Sequence, residues 1–129
     1  MLFDLDNLKE VNDTFGHDTG DRMIRMFADL LRYQTRTEDI QCRYGGDEFV
    51  VVLKRLNDEK TVMKKVRDIC SAFRDRLARE NISASCSVGV VLCQAGERPS
   101  AEMIEHADQA LYRAKRNRGS CWLWSEKDE

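Results

Sequence analysis

The sequence is short of what a linker, a membrane span or a nucleic-acid-binding surface requires. One proline and seven glycines in 129 residues leave no room for a long flexible segment, and no repeat or low-complexity tract interrupts the chain. No apolar run approaches the length of a membrane span, and the start carries neither a basic n-region nor an apolar h-region. The charges are interspersed and sum to −2, which excludes the basic face of a nucleic-acid-binding domain. The five cysteines (Cys42, Cys70, Cys86, Cys93 and Cys121) form no C-x-x-C pair and are odd in number. Most fall on expected core faces, which points to reduced packing residues in a cytoplasmic protein and away from structural zinc. What is left is a single domain with 42% hydrophobic residues, enough for one core.

What the chain does have is Gly45-Gly46-Asp47-Glu48-Phe49, set between Cys42-Arg43-Tyr44 and the apolar run Val50-Val51-Val52-Leu53. This reads as a β-hairpin, with the glycine pair supplying the φ > 0 conformations of a two-residue turn and leaving the backbone open to close approach. Two carboxylates directly after such a turn are costly unless something cationic meets them. A second acidic cluster, Asp4-Leu5-Asp6, ends the apolar start Met1-Leu2-Phe3. Two acidic strand ends in one small domain suggest an oxygen-rich site for a hard divalent cation such as Mg²⁺, which usually also holds a substrate phosphate.

The pattern predicts a strand over 2–6, a polar loop, and a helix capped by Asp18 or Thr19 that runs to about Arg36, with Met23, Phe27, Leu30 and Leu31 inward. Strands follow at about 41–44 and 48–53. A helix then carries Val62, Val66, Ile69, Cys70, Phe73 and Leu77 as one apolar stripe. Residues 84–92 read as a strand. Ser100 caps a helix with Ile104, Ala107, Leu111 and Ala114 inward, and residues 120–124 form an edge strand. The order is that of a ferredoxin-like split β-α-β unit with an added helix and strand. It predicts an α+β domain with helices on one face of an antiparallel sheet.

Several segments carry a resemblance. Asp4-Leu5-Asp6-Asn7-Leu8-Lys9-Glu10-Val11-Asn12-Asp13 runs into Thr14-Phe15-Gly16-His17-Asp18-Thr19-Gly20-Asp21. Arg43-Tyr44-Gly45-Gly46-Asp47-Glu48-Phe49, Ser87-Val88-Gly89-Val90 and Ala107-Asp108-Gln109-Ala110-Leu111-Tyr112-Arg113-Ala114-Lys115 follow. In this order and at these spacings the chain resembles the GGDEF family of diguanylate cyclases over essentially its whole length. The resemblance implies the palm core shared with nucleotide cyclases and many polymerases. It also implies Mg²⁺- or Mn²⁺-dependent condensation of two GTP into cyclic di-GMP by a homodimer. Family members usually carry an opening helix and an Asp-x-Leu-Thr-Gly-Leu-x-Asn-Arg-Arg segment before the first strand. This chain starts inside that strand, so a fragment, or a parent with an upstream sensory domain, is expected.

By the same resemblance Asp4, Asp47 and the backbone carbonyl of Leu5 are metal ligands. Strand alternation sends Asp47 and Glu48 to opposite faces, which excludes both as equal ligands of one metal. Glu48 is then a candidate second-metal ligand or proton acceptor; the plainer alternative is a surface carboxylate balancing Arg43. Asn12 and Asp21 match the guanine-reading positions, where an amide and a carboxylate complement the N1–H and 2-amino groups that adenine lacks. Placement alone makes Asp21 a first-turn helix acid. His17 lies near this site or simply holds its loop.

Gly45 and Gly46 admit the substrate, and Lys115 matches a phosphate-contacting lysine. The usual Ala-Lys-x-x-Gly-Arg-Asn is altered here: Gly119 stands where the family has its phosphate arginine, and Arg118 is the candidate replacement from one residue earlier. Arg36 and Asp39 match the R-x-x-D site of product inhibition, with Arg67 as its secondary arginine; outside this context Arg36 and Asp39 would be an ordinary ion pair. A non-catalytic receptor for GTP or cyclic di-GMP is the alternative from another class. A different cyclase or polymerase-like transferase is disfavoured by the guanine-reading pair.

Overall fold

A computed structural model describes residues 1–56, 58–94 and 96–128. In chain order it contains β1 (Leu2–Asp6), α1 (Leu8–Phe15), α2 (His17–Gln34), β2 (Ile40–Arg43), β3 (Glu48–Val52), α3 (Glu59–Ala78), β4 (Ser85–Val90), α4 (Ala101–Ala114) and β5 (Cys121–Leu123). A 3-10 turn, Lys115–Asn117, continues α4, and a second, Glu126–Asp128, follows β5. The strands lie in the order β2-β3-β1-β4-β5.

The α+β class and palm-like core are as expected, with two corrections to the sheet. It is mixed: β4 and β5 run parallel, whereas the other neighbours are antiparallel. The helical crossover through α4 returns the chain in its original direction, which a hairpin cannot do. Helices also cover both faces. Phe3 and Leu5 of β1 join Phe27 of α2 and Ile69 and Phe73 of α3 in the main core. Leu2, on the opposite side of the pleat, packs with Ala107 and Leu111 of α4. Successive strand residues alternate between faces, so two apolar neighbours at the start of β1 require a cover on each side. The α4 backbone comes close enough that a Cβ on Gly89 would lie 2.0 Å from the carbonyl oxygen of Ala107.

The six-residue stripe of α3 is buried throughout, and Phe27 sits between Phe3, Phe49 and Phe73 with ring centroids 4.9–5.3 Å apart. Ser100 caps α4 by accepting from the Met103 N–H at 3.3 Å, although Ile104 is only half-buried. Two further expectations fail at α1 and α2. The stretch after β1 is helix α1, not loop; Val11 is its one buried residue, too little for a legible periodicity. Helix α2 begins at His17, capped by Gly16 and not by Asp18 or Thr19, because one residue joins the two helices and its N–H bonds the Asn12 carbonyl at 2.9 Å. It ends at Gln34, and Thr35 turns back to bond the Leu31 carbonyl. Cys70 and Cys86 are buried as expected, but Cys42, on the outer strand β2, and Cys93, beyond β4, are exposed.

Candidate active site

The register of β1 against β3 sets Asp4 directly opposite Glu48. Directly paired residues share a face, which here is the face covered by α4. Asp47 lies just before β3, in the loop, and its carbonyl accepts the Leu5 N–H at 2.9 Å, fixing the loop end against β1. Asp4, Asp47 and Glu48 each bring a carboxylate oxygen within 4.8 Å of the others. The expected divergence of Asp47 and Glu48 is therefore wrong: strand alternation does not govern a residue outside the strand.

Asp4 is 6% exposed. Its Oδ2 is 2.6 Å from the Lys115 Nζ, while its buried Oδ1 has no hydrogen-bond partner among the described residues. Burial raises its pKa to about 6, reinforced by Asp47 and opposed by Lys115. Glu48 also moves up, through burial first and then the charges of Asp47 and Asp108. Three carboxylates against one ammonium, with a bare buried oxygen among them, form an incompletely neutralised oxygen cradle. Such a donor set fits a hard divalent cation, and Asp4, Asp47 and Glu48 are the residues able to hold it. The sequence reading missed Asp108. It sits within a quoted motif, but its relation to Glu48 arises only once α4 lies on the sheet.

The hairpin loop differs from the two-residue turn expected. It spans 44–47, with the Tyr44 and Gly45 N–H groups both donating to the Glu48 carbonyl, at 2.8 and 3.3 Å. Neither Gly45 nor Gly46 has a left-handed φ. A Cβ on Gly46 would meet nothing within 4 Å, and one on Gly45 only the Glu48 side chain at 3.8 Å. These glycines leave open space beside the carboxylates; they do not shape a strained turn. Arg43 donates to the Gly45 and Gly46 carbonyls, at 3.2 and 2.7 Å, and so holds the loop; it does not neutralise Glu48.

Two residues beyond Asp4, Asp6 is engaged on both oxygens. Ser87 Oγ lies 2.9 and 2.8 Å from them, and Ser85 Oγ and the Gly119 N–H lie 2.9 and 3.1 Å from Oδ2. This explains the departure at residue 119. Its φ is +83°, in the left-handed region where a side chain is strained, and its N–H anchors the turn to Asp6.

Asn12 of α1 packs against Gly20 of α2, the residue before Asp21. A Cβ on Gly20 would fall 1.7 Å from Asn12 Oδ1, so the amide lies where only glycine leaves room. His17 is exposed at the first residue of α2. Lys115 stands at the carboxylates. Arg118 turns elsewhere, donating to Asn7 Oδ1 and lining a different cavity with Arg74.

Arg36 and Asp39 form a turn beside a surface groove. Asp39 accepts the Arg36 and Lys54 N–H groups at 2.7 and 2.9 Å, and Arg36 donates to the Lys54 carbonyl at 3.2 Å. Arg67 lies with Cys121 of β5, while Arg36 and Asp39 adjoin β2. These are the two outer strands, roughly 19 Å apart at the usual strand spacing, so one chain does not bring the three residues together.

A family model described as "Diguanylate cyclase, GGDEF domain" matches residues 1–121. The diguanylate cyclase DgcP of Pseudomonas aeruginosa is 38% identical over 117 residues, 89% of this chain and 17% of that protein. The chain thus spans about a sixth of the length of this curated relative. Among solved structures, the GGDEF domain of TpbB (YfiN) from P. aeruginosa is 34% identical with a TM-score of 0.86, covering 98% of this chain and 76% of that one. The GGDEF domain of DgcB from Caulobacter crescentus, solved in complex with c-di-GMP, is 29% identical with a TM-score of 0.82, covering 95% and 74%.

Proposed function

The chain belongs to the diguanylate cyclase GGDEF domain family, and from that premise we propose that it condenses two GTP into cyclic di-GMP with release of two pyrophosphates. The observation that carries the reading is the convergence of Asp4, Asp47 and Glu48 around a buried carboxylate oxygen without a partner. Bound there with the Leu5 carbonyl as a further ligand, Mg²⁺ or Mn²⁺ would neutralise phosphate oxygens and raise the electrophilicity of the α-phosphorus.

The chain's own residues do the rest. Asn12 and Asp21 orient the guanine, with His17 beside them, and the open backbone at Gly45 and Gly46 admits the nucleotide. Lys115 exchanges its contact with Asp4 for a phosphate oxygen, and Arg118 is a candidate for a second such contact. Each half-reaction forms a bond from a 3′-oxygen to an α-phosphorus and breaks the bond from that phosphorus to the bridging oxygen of the leaving pyrophosphate. Glu48 takes the hydroxyl proton, a role its raised proton affinity supports.

One site holds one GTP and the product has two symmetric linkages, so two copies face each other about a two-fold axis. The domain acts in the cytoplasm without membrane or nucleic-acid contact; no helix among the described residues is long and apolar enough to cross a membrane. Arg36 and Asp39 bind product guanine, and Arg67 contributes from a second copy, consistent with its place at the far edge of the sheet. Mg²⁺ and GTP incubated with the purified chain should yield cyclic di-GMP, identified by chromatography and mass. Tight GTP binding with no product at any protein concentration would convert the reading to a receptor module.

A further inference from the structure

Cys86 of β4 and Cys70 of α3 meet in the main core, where the Cys86 thiol donates to the Cys70 sulfur at 3.5 Å. Regular structure fixes both residues. Cys86 pairs with Leu5 in the β1–β4 ladder, and Cys70 lies on the buried stripe of α3 with Ile69 and Phe73. The fold therefore holds the two sulfurs as neighbours. A disulfide bond is about 2.0 Å long, so side-chain rotation has to close about 1.5 Å.

The two thiols have unequal surroundings. Cys86 is wholly buried, whereas Cys70 is 8% exposed. The contact with Cys70, and then burial, push the Cys86 thiol well above its usual range, which keeps it protonated and slow to meet an oxidant alone. Of the other cysteines, Cys42 on β2 and Cys93 beyond β4 are exposed. Cys121 of β5 is half-buried opposite Val88, and its thiol is pushed up by burial and then by Cys70.

We propose that Cys70 and Cys86 form a modification site for a small hydroperoxide, in which Cys70 takes the oxidant and Cys86 resolves it as a disulfide joining α3 to β4. With hydrogen peroxide, the Cys70 sulfur attacks one oxygen and breaks the O–O bond, giving a sulfenic acid and one water. The Cys86 sulfur then attacks the Cys70 sulfur, forms the S–S bond and expels the hydroxyl, which leaves with the Cys86 proton as a second water. Two thiols lose two electrons and two protons, and the peroxide takes up both. The fixed contact makes the second step intramolecular, which favours it over further oxidation of Cys70. The inference does not depend on the cyclase reading, because the pair lies on the opposite face of the sheet from the three carboxylates.

The test treats the folded chain with hydrogen peroxide at a dose that oxidises the exposed Cys42 and Cys93. Remaining thiols are alkylated in denaturant, and unreduced peptides are mapped by mass. A linked Cys70–Cys86 pair, two hydrogens lighter than the separate peptides, should form in more than half of the molecules and vanish on reduction. In Cys86→Ser no resolving thiol remains, and Cys70 should carry two added oxygens as a sulfinic acid. In folded Cys70→Ser, Cys86 should stay a thiol, and its oxidation there would overturn the assigned order. The wild-type map decides the matter even where a substituted chain does not fold. The proposal is overturned if Cys70 and Cys86 both remain open to alkylation while Cys42 and Cys93 are oxidised, or if Cys70 is joined to Cys121 in place of Cys86. It is equally overturned if Cys70 in the wild type ends as a sulfinic acid without a link.

Discussion

Asp4 and Asp6 stand two residues apart on the same face of the same strand, are 6% and 2% exposed, and have opposite surroundings. Asp6 accepts from two hydroxyls and a backbone N–H, so its charge is fully solvated by protein. Asp4 has one lysine on one oxygen, no hydrogen-bond partner among the described residues on the other, and two further carboxylates beside it. A buried charge left this way is expensive, and its elevated pKa expresses that cost. The strand thus ends in one acid that builds the fold and one whose surroundings leave a buried oxygen for a cation to meet. Residue type and burial do not separate the two; the partner list does.

The contrast breaks most sharply by substitution. Asp4→Asn and Asp47→Ala should each lower kcat on the order of a thousandfold or more while circular dichroism stays native-like and the chain remains folded, since each removes a carboxylate proposed to hold the metal and no apolar packing. Asp6→Asn should do the reverse, costing about 2–4 kcal/mol of stability in denaturant titration as its donors lose their acceptor, with little loss of turnover per folded molecule. Native stability in Asp6→Asn together with dead chemistry would exchange the two assignments.

The pH dependence of stability sharpens the same comparison. Asp4 titrates at about 6 in the folded protein, and an unfolded aspartate near 4. Between those values the folded chain holds a proton that the unfolded chain has released, so stability falls as pH rises through this window and stays lower above it. The loss should be on the order of 2–3 kcal/mol in chelator. Denaturant titrations at about pH 4 and pH 7, which span the window, would measure most of it. Asp4→Asn should remove most of the drop, as should saturating Mg²⁺ with a GTP analogue.

Smaller effects are expected at the glycines. Gly20→Ala places a Cβ on Asn12 Oδ1 and should raise KM for GTP about tenfold, roughly 1.4 kcal/mol, with the fold intact. Asp21→Ala should reduce the preference for GTP over ATP by a comparable factor. Competition assays with the two nucleotides check both, and an unchanged preference in Asp21→Ala leaves it a helix-start acid. Gly119→Ala forces a side chain into a φ of +83° and should cost about 1–2 kcal/mol. Its melting transition would show the smallest shift of the set if Asp6 simply released the turn.

Much of this was legible in the sequence because it rests on local periodicity and side-chain chemistry. The α3 stripe, the Ser100 cap and the short strands are of that kind, and so is the acidic character of the β1 and β3 ends. What was not legible depends on placement in space. Helix α1 hides because only Val11 is fully buried, and the parallel β5 follows from a crossover that no periodicity encodes. Asp47 and Glu48 diverge only if strand alternation is extended to Asp47, and that residue lies in the loop before β3. Asp6 matched Asp4 in sequence, and only Ser85, Ser87 and Gly119, about eighty or more residues away, distinguish it. The motif points Arg118 toward the phosphates; in the fold it bonds Asn7 and lines a cavity with Arg74.

The most direct measurement is Mn²⁺ binding followed by electron paramagnetic resonance in the presence of a non-reactive GTP analogue, on wild type, Asp4→Asn and folded Asp6→Asn. Saturable binding in wild type and Asp6→Asn, lost in Asp4→Asn, is the predicted result. Binding in Asp4→Asn as tight as in wild type would contradict a cation centre at the end of β1.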